Sequence, residues 1–328
     1  MTLPHRQGDE EVLRRCLDEI VDNVASGRTA ITSVHRIPSG YSSWYASDIV
    51  TIELANGAEL KVFLKDYGSY SCPKDGMEQR RDREMRVYRD LLAEANLGTA
   101  RYYGSVSDAS QGRFWLLLEF VEGMPVRYCD LEYWISAAGW LGRMQGRFAR
   151  QLSRLSATGF LIRHDADFFW SKAELAQTAL SETPLAGRLM RLLRGYDRAV
   201  GAMASQPRTL VHGAYRPKEI LLNLNTNPPR ICPVDWELAG LGSPIYDLAL
   251  FADGFESSVQ DRLWGVYREQ AQGCGLSLPE REEASYLMDC FRLHHVMNWL
   301  GQSRTRGFPE AKVARLVDLG EQLRSRIL

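Results

Sequence analysis

The residues able to do chemistry cluster around one polar loop and one isolated carboxylate. Leu210 and Val211 lead into His212-Gly213-Ala214-Tyr215-Arg216-Pro217-Lys218-Glu219. Ile220 to Leu222 follows, then a turn of Asn and Pro from Asn225 to Pro229. A second apolar run, Ile231 to Val234, stops at Asp235-Trp236. Apolar runs bounded by Asn and Pro read as two buried strands joined by a turn. The loop therefore feeds a hairpin whose far end presents one acid. Such a cleft can hold a metal ion and an anion, because a strand-end carboxylate with packed neighbours has a fixed direction. The plainer alternative is an Asp that caps a turn.

The stretch from Thr209 to Ala249 resembles the core of the aminoglycoside phosphotransferase group and its choline kinase relatives, small-molecule kinases with a protein-kinase-like fold. That group's pattern is H-G-D-x-x-x-x-N, a hairpin, an apolar residue before D-x-E, then D-L-A. Here it reads His212-Gly213, Val234-Asp235-Trp236-Glu237 and Asp247-Leu248-Ala249. Two positions depart. Ala214 stands where the family has its catalytic Asp, and Glu219 where it has its metal-binding Asn.

The resemblance implies ATP or GTP with Mg²⁺ as cofactors. It implies Asp235 as a metal ligand, and His212 and Asp247 as braces of the loop. Glu219 can serve as a second ligand, since a carboxylate oxygen replaces an amide oxygen. The implied activity is transfer of the γ-phosphate to a hydroxyl of a small molecule. Ala214 cannot accept the proton of that hydroxyl, and general-base help is worth ~10²–10⁴ in rate. Phosphoryl transfer rests mainly on positioning and charge, so a slow enzyme survives the loss. A pseudokinase that binds nucleotide or a partner protein without turnover is the second reading. A kinase of a peptide Ser or Thr is the third. Arg216 and Lys218 are either solvated loop charges or contacts for an anionic substrate.

The elements that must position these groups change character along the chain. Glu10 to Ala25 carries Val12, Cys16, Ile20 and Val24 at four-residue spacing, an amphipathic helix. Ile31 to Ile37, Ile49 to Leu54 and Leu60 to Leu64 read as strands, with Asn56-Gly57 as a hairpin signal. Between the first two, Ser39 and Gly40 open a small-residue loop through Trp44. It is either a plain turn or a flap whose N–H groups approach phosphate. Lys65 ends the third strand, in VFLKD, and is either an edge charge or the kinase-type lysine that holds nucleotide phosphates. Its partner would come from the helix Met77 to Asn96, where Glu84, Tyr88, Leu91 and Ala95 share one stripe. An inward glutamate needs a cation.

Arg101 to Val106 and Arg113 to Val121 are two further strands. The resemblance makes the segment Glu119 to Gly123 the hinge, with Glu119 and Val121 as nucleotide-binding positions. From Asp130 the period is helical: 130–151, 171–204, 243–253, 259–273, 279–301 and 309–328. The expected fold is α+β and kinase-like, with an antiparallel-sheet nucleotide-binding lobe at 1–121 and a mainly helical lobe at 122–328. Helix 285–301 would line the acceptor side, offering Asp289, His294, His295, Asn298 and Trp299 rather than a run of acids. That argues against a polycationic substrate.

Composition narrows the class. Lys plus Arg number 40 and Asp plus Glu 41, a net charge of −1, so no polyanion partner such as nucleic acid is indicated. No apolar run is long enough for a membrane span or a secretory signal. The six cysteines are scattered without a C-x-x-C pair, which fits reduced thiols in a cytoplasmic protein and argues against a zinc site.

Overall fold

The computed structural model describes residues 8–24, 29–40, 44–71 and 76–328. The chain forms two compact units, Met1–Gly123 with Asn223–Glu237, and Met124–Leu222 with Leu238–Leu328.

The first unit opens with α1 (Asp9–Val24), β1 (Ile31–Pro38), β2 (Tyr45–Leu54) and β3 (Glu59–Tyr70). Next come α2 (Met77–Arg86), which runs on as a π-helical turn over Val87–Leu92, then β4 (Tyr102–Asp108) and β5 (Arg113–Glu119). The strands make one antiparallel sheet in the order β1-β2-β3-β5-β4. Asn56-Gly57 does turn the β2–β3 hairpin. The Asn56 side chain accepts from Ala58 N at 3.0 Å, and Gly57 takes φ 81°.

α1 covers one face of this sheet. Its buried apolar residues are Leu13, Leu17, Ile20 and Val21, packed with Val50, Ile52, Val62, Leu64 and Leu117. The expected stripe of Val12, Cys16, Ile20 and Val24 is thus displaced, and only Ile20 belongs to the centre. Each four-residue step overshoots a full turn by about 40°, so a strict four-residue stripe slides off the buried face. Burying each such side chain contributes roughly 1.5–3 kcal/mol. The buried pair Asp9–Arg113, at 2.8 Å, ties the start of α1 to β5.

β3 does not end at Lys65. Its pairing with β2 continues to Tyr70, and with β5 to Asp66. Alternation puts Val62 and Leu64 against α1 and leaves Phe63, Lys65 and Tyr67 on the other face.

The second unit begins with β6 (Met124–Pro125), α3 (Leu131–Ala149), α4 (Leu152–Ala157) and β7 (Ile162–Arg163). It continues with α5 (Ala166–Leu180), α6 (Ala186–Leu192), α7 (Tyr196–Ala204), β8 (Thr209–Val211) and β9 (Ile220–Asn223). The chain returns to the first unit for β10 (Arg230–Pro233). It re-enters the second with β11 (Gly240–Gly242), α8 (Ile245–Phe251), α9 (Ser257–Gly273), α10 (Arg281–Gly301) and α11 (Glu310–Ile327).

The stretch 171–204, expected as one helical run, is three helices. Pro184 lies in the first break, where it supplies no N–H. Gly195 lies in the second with φ 85°, a region that L side chains avoid. The true start of α5 lies earlier, where the Asp165 side chain accepts from Phe168 N at 3.0 Å. β6, β7 and β11 are new relative to the expectation. They are two or three residues long, too short to show a period. β11 runs parallel to β7 and antiparallel to β8.

α3 lies close against α9. A Cβ at Gly142 would collide with the carbonyl oxygen of Tyr267, so glycine is what permits this approach. Among the described residues, no helix is long and apolar enough to cross a membrane. The five described cysteines are free; Cys72 lies outside the described residues.

Candidate active site

Lys65 is the centre of the first unit's polar cluster. Its Nζ donates to Glu84 Oε2 at 2.7 Å and to Asp235 Oδ1 at 3.1 Å. Two elements far apart in sequence thus meet on one ammonium. Glu84 is almost fully buried, and Tyr67 donates to the same Oε2 at 2.6 Å. The rings of Tyr45 and Tyr67 have centroids 5.4 and 5.1 Å from the ammonium. Burial disfavours the charged lysine, but Glu84, Asp235 and Glu237 outweigh it and hold its pKa above the ordinary value. Burial likewise raises Glu84, against the opposing pull of Lys65. The ammonium is therefore firmly charged at neutral pH.

Asp235 takes φ 67°, a left-handed conformation that Asp tolerates better than most side chains. Trp236 is fully buried, and its indole N–H donates to Pro233 O at 3.2 Å, which fixes the chain on either side of the acid. Glu237 is buried as well. Arg80 donates to its carboxylate at 3.1 Å and Arg83 to its carbonyl at 2.6 Å. One helix, α2, therefore supplies the partner of Lys65 and clamps the segment that carries Asp235.

The remaining nucleotide-site expectations in this unit fall in different settings. Ser39 is buried, and its N–H donates to Ser47 O at 2.8 Å. Gly40 is exposed, and a Cβ there would meet nothing within 4 Å, so packing does not demand glycine at this point. Residues 41–43 of the same loop lie outside the described residues. Glu119 is occupied twice over. Its carboxylate pairs with Arg230 at 2.6 and 2.8 Å, and its N–H donates to Arg101 O at 2.8 Å. Burial would raise this carboxyl, but Arg230 and the Arg101 N–H hold it below its ordinary pKa. Val121 is buried, and its N–H and C=O have no hydrogen-bond partner among the described residues.

In the second unit, Asp247 organises the polar loop. It is fully buried at the start of α8, and accepts from His212 N at 2.7 Å and Gly213 N at 3.0 Å. Gln145 of α3 reaches it at 3.4 Å. Burial pushes Asp247 up to about 7, against those N–H donors, which favour the anion. Gly213 has φ 81°, and a Cβ there would strike the carbonyl of Leu238. His212 is buried and its Nδ1 accepts from Ala214 N at 3.3 Å. Ala214 presents only a methyl group. The hydroxyl of Tyr215 is committed to Ala137 O at 2.9 Å, and Glu219 pairs with Lys218 at 2.7 Å.

A profile of the phosphotransferase enzyme family, the aminoglycoside-phosphotransferase type, matches residues 34–286. The chain belongs to this family. No curated protein matches it by sequence. Solved structures show the same fold at low identity. The macrolide 2′-phosphotransferase of Brachybacterium faecium is 13% identical with a TM-score of 0.59, over 93% of this chain and 97% of that one. Choline kinase of Streptococcus pneumoniae is 13% identical with a TM-score of 0.58, over 96% and 99%. Choline kinase of Cryptosporidium parvum is 11% identical with a TM-score of 0.59, over 97% and 94%. Others among these matches were solved with AMP or GDP. The fold is thus α+β and protein-kinase-like, with the antiparallel sheet N-terminal and the helices C-terminal.

In this phosphotransferase-family chain, helix α10 contributes less open polarity than its sequence offers. Asp289 is paired with Arg292 at 3.2 Å and Arg326 at 3.5 Å. His294 and His295 are both buried, and Tyr196 reaches His294 Nδ1 at 3.4 Å. Burial first, then Arg216, lowers His295 to about 3. It is neutral in the folded protein, whereas an unfolded histidine takes a proton near pH 6.5. Its contribution is complete above that pH and is lost as pH falls toward 3, at about 1.4 kcal/mol per unit. Between pH 7 and 5 the wild-type Tm should therefore fall more steeply than that of His295→Phe. Asp247, whose raised pKa acts in the opposite sense over pH 4 to 7, is common to both proteins and drops out of the difference. Parallel curves would show that the imidazole is not held neutral.

Sequence reasoning did not find Arg80, Arg83, Gln145 or Arg230. Arg80, Arg83 and Gln145 sit on predicted helices and Arg230 between a predicted turn and strand, and only a partner across the fold marks each one out.

Proposed function

We propose that this protein binds a purine nucleotide with Mg²⁺ and transfers its terminal phosphate to a hydroxyl of a small molecule, through a loop that lacks the usual base. The observation that carries this reading is the Lys65 ammonium shared between buried Glu84 and half-buried Asp235. A structural ion pair needs one acid. A second, more exposed acid on the same lysine is what a site for phosphates and a cation requires. Nucleotide complexes among the structural relatives support the same reading.

Each residue then has an assigned task. Lys65, positioned by Glu84, meets phosphate oxygens. The backbone at Ser39 and Gly40 approaches the phosphates, and the segment Glu119 to Val121 meets the base edge. The open N–H and C=O of Val121 suit that role. Residues 1–121 supply the nucleotide side and 122–328 the acceptor side. Asp235 holds the cation, with Glu219 as the second assigned carboxylate. Among the described residues, no three His, Cys, Asp or Glu side chains are grouped as a metal cage. One or two carboxylates completed by phosphate oxygens is the donor set that Mg²⁺ accepts. The ion would neutralise charge that develops on the transferred phosphate. His212 and Asp247 hold the loop in shape and take no part in bond making.

Ala214 favours a second reading, nucleotide binding without turnover. Both readings require Asp235 to hold the cation, and a thermal shift tests that. Ligand at a hundredfold excess over its Kd adds about 2.7 kcal/mol of stability. Mg-ATP or Mg-GTP should raise the Tm of the wild type, and Asp235→Ala should remove the gain. A wild type that responds to neither nucleotide would remove the premise of both readings.

A further inference from the structure

Arg216 is the one loop charge whose setting the proposed transfer does not use. It is half-buried, and its Nε is shielded from solvent without a hydrogen-bond partner. Among the described residues its side chain has no carboxylate and no other hydrogen bond. Its guanidinium carbon lies 5.9 Å from the ring centroid of half-buried Trp299 on α10. The ring lies near the guanidinium but offers no hydrogen-bond acceptor, so the donors of Arg216 stay unsatisfied by protein groups.

No acid pairs with it among the described residues; the Asp247 carboxylate is held by the N–H groups of His212 and Gly213. His295, one helical turn before Trp299, is buried and uncharged, with an unpartnered Nε2. The acids on neighbouring elements are taken: Asp289 and Asp253 both pair with Arg292, at 3.2 and 3.5 Å. Lys218 and Glu219 cancel each other at 2.7 Å. Arg216 is therefore left without an ion-pair partner among the described residues, and the position that is acidic in the family pattern is Ala214. A half-buried guanidinium without a counter-ion is costly unless a ligand completes it.

We propose that Arg216 and Trp299 form the acceptor subsite, and that the acceptor is a hydroxylated carboxylate rather than a cationic sugar or amino alcohol. This inference rests on the phosphotransferase reading and adds the chemical class of its substrate. The carboxylate takes two edge donors of Arg216, and Trp299 covers the carbon skeleton.

The test uses the whole chain labelled with ¹⁵N at arginine. The Nε–Hε resonance of Arg216 is assigned by its loss in Arg216→Lys, which keeps the charge and serves as the folding control. Acetate should shift this resonance saturably, and tetramethylammonium chloride at equal ionic strength should not. 4-Hydroxybutyrate should act at about 10- to 100-fold lower concentration than 4-hydroxybutyramide, the range for a hydrogen-bonded charge against a neutral isostere. No saturable response to acetate, or equal potency of acid and amide, overturns the inference. The acetate response should persist with a non-hydrolysable Mg-ATP analogue. If the analogue displaces acetate, the oxyanion is the nucleotide's and the acceptor assignment is wrong. The Mg-ATP thermal shift is read on the same sample. A thermal shift without an acetate response defeats this inference alone. An acetate response without the shift removes the phosphotransferase reading, and with it any acceptor.

Discussion

Lys65→Met should destabilise the protein by about 3–5 kcal/mol and abolish its response to Mg-ATP, the first figure being the usual cost of breaking a buried ion pair on one side. The lysine is 14% exposed and its partner Glu84 2% exposed, so the pair has little access to water. Removing the ammonium leaves the Glu84 carboxylate with only the Tyr67 hydroxyl for company. Burial already raises Glu84, and without Lys65 nothing cationic opposes it. The penalty then has a pH signature. An acid whose folded-state pKa is raised loses stability as pH rises above its unfolded value, near 4.3. The deficit of the variant should be largest at neutral pH and shrink as pH falls toward 4. Lys65→Met with Glu84→Gln removes both charges and should recover most of the stability while still failing to respond to nucleotide. Urea melts with and without Mg-ATP separate the two effects. A double variant that recovers stability and also responds to Mg-ATP as the wild type does would show that Lys65 is a structural cation only.

The parts legible in the sequence were those with a local signature. Asn56-Gly57, the alternation of β3 and the stripe of Glu84, Tyr88, Leu91 and Ala95 each fix a face from a few neighbours. From those faces the meeting of Lys65 with Glu84 follows, because an inward acid demands a cation. The loop was legible for a different reason: His212-Gly213 and Asp247 match the family motif, whose resemblance implies a bracing role, and the Asp247 carboxylate takes the N–H groups of His212 and Gly213. What was not legible depends on distant partners. Arg80 and Arg83 look like surface charges on α2 until the Glu237 segment is placed beside them. Glu119 reads as the end of a strand, yet its carboxylate is spent on Arg230, which no local pattern links to it. The break of 171–204 into three helices turned on Pro184, which supplies no N–H, and on Gly195, whose left-handed φ ends the second helix's periodicity.

Ala214→Asp should raise the rate of ADP release by ~10²–10⁴, the usual worth of a positioned general base, and leave the Mg-ATP thermal shift unchanged. The loop is suited to receive the acid. Its shape is set by Asp247 holding the N–H groups of His212 and Gly213 and by His212 Nδ1 holding the N–H of Ala214. None of those bonds involves the side chain at 214, so the exchange alters what the loop presents and not how it is built. Ala214 is 9% exposed, which places the new carboxylate at the edge of solvent rather than deep in the core. Three other residues near the motif could act as the base, and each is already occupied: Tyr215 by Ala137, Glu219 by Lys218 and Glu237 by Arg80. Turnover in the wild type should therefore be low, and a single added carboxylate should dominate it. An unchanged rate, with nucleotide binding intact, would establish a protein that holds nucleotide without transferring phosphate. A tenfold or greater fall would mean that the methyl group belongs to a different mechanism, in which an anion at this position repels the reacting phosphate or the carboxylate held by Arg216.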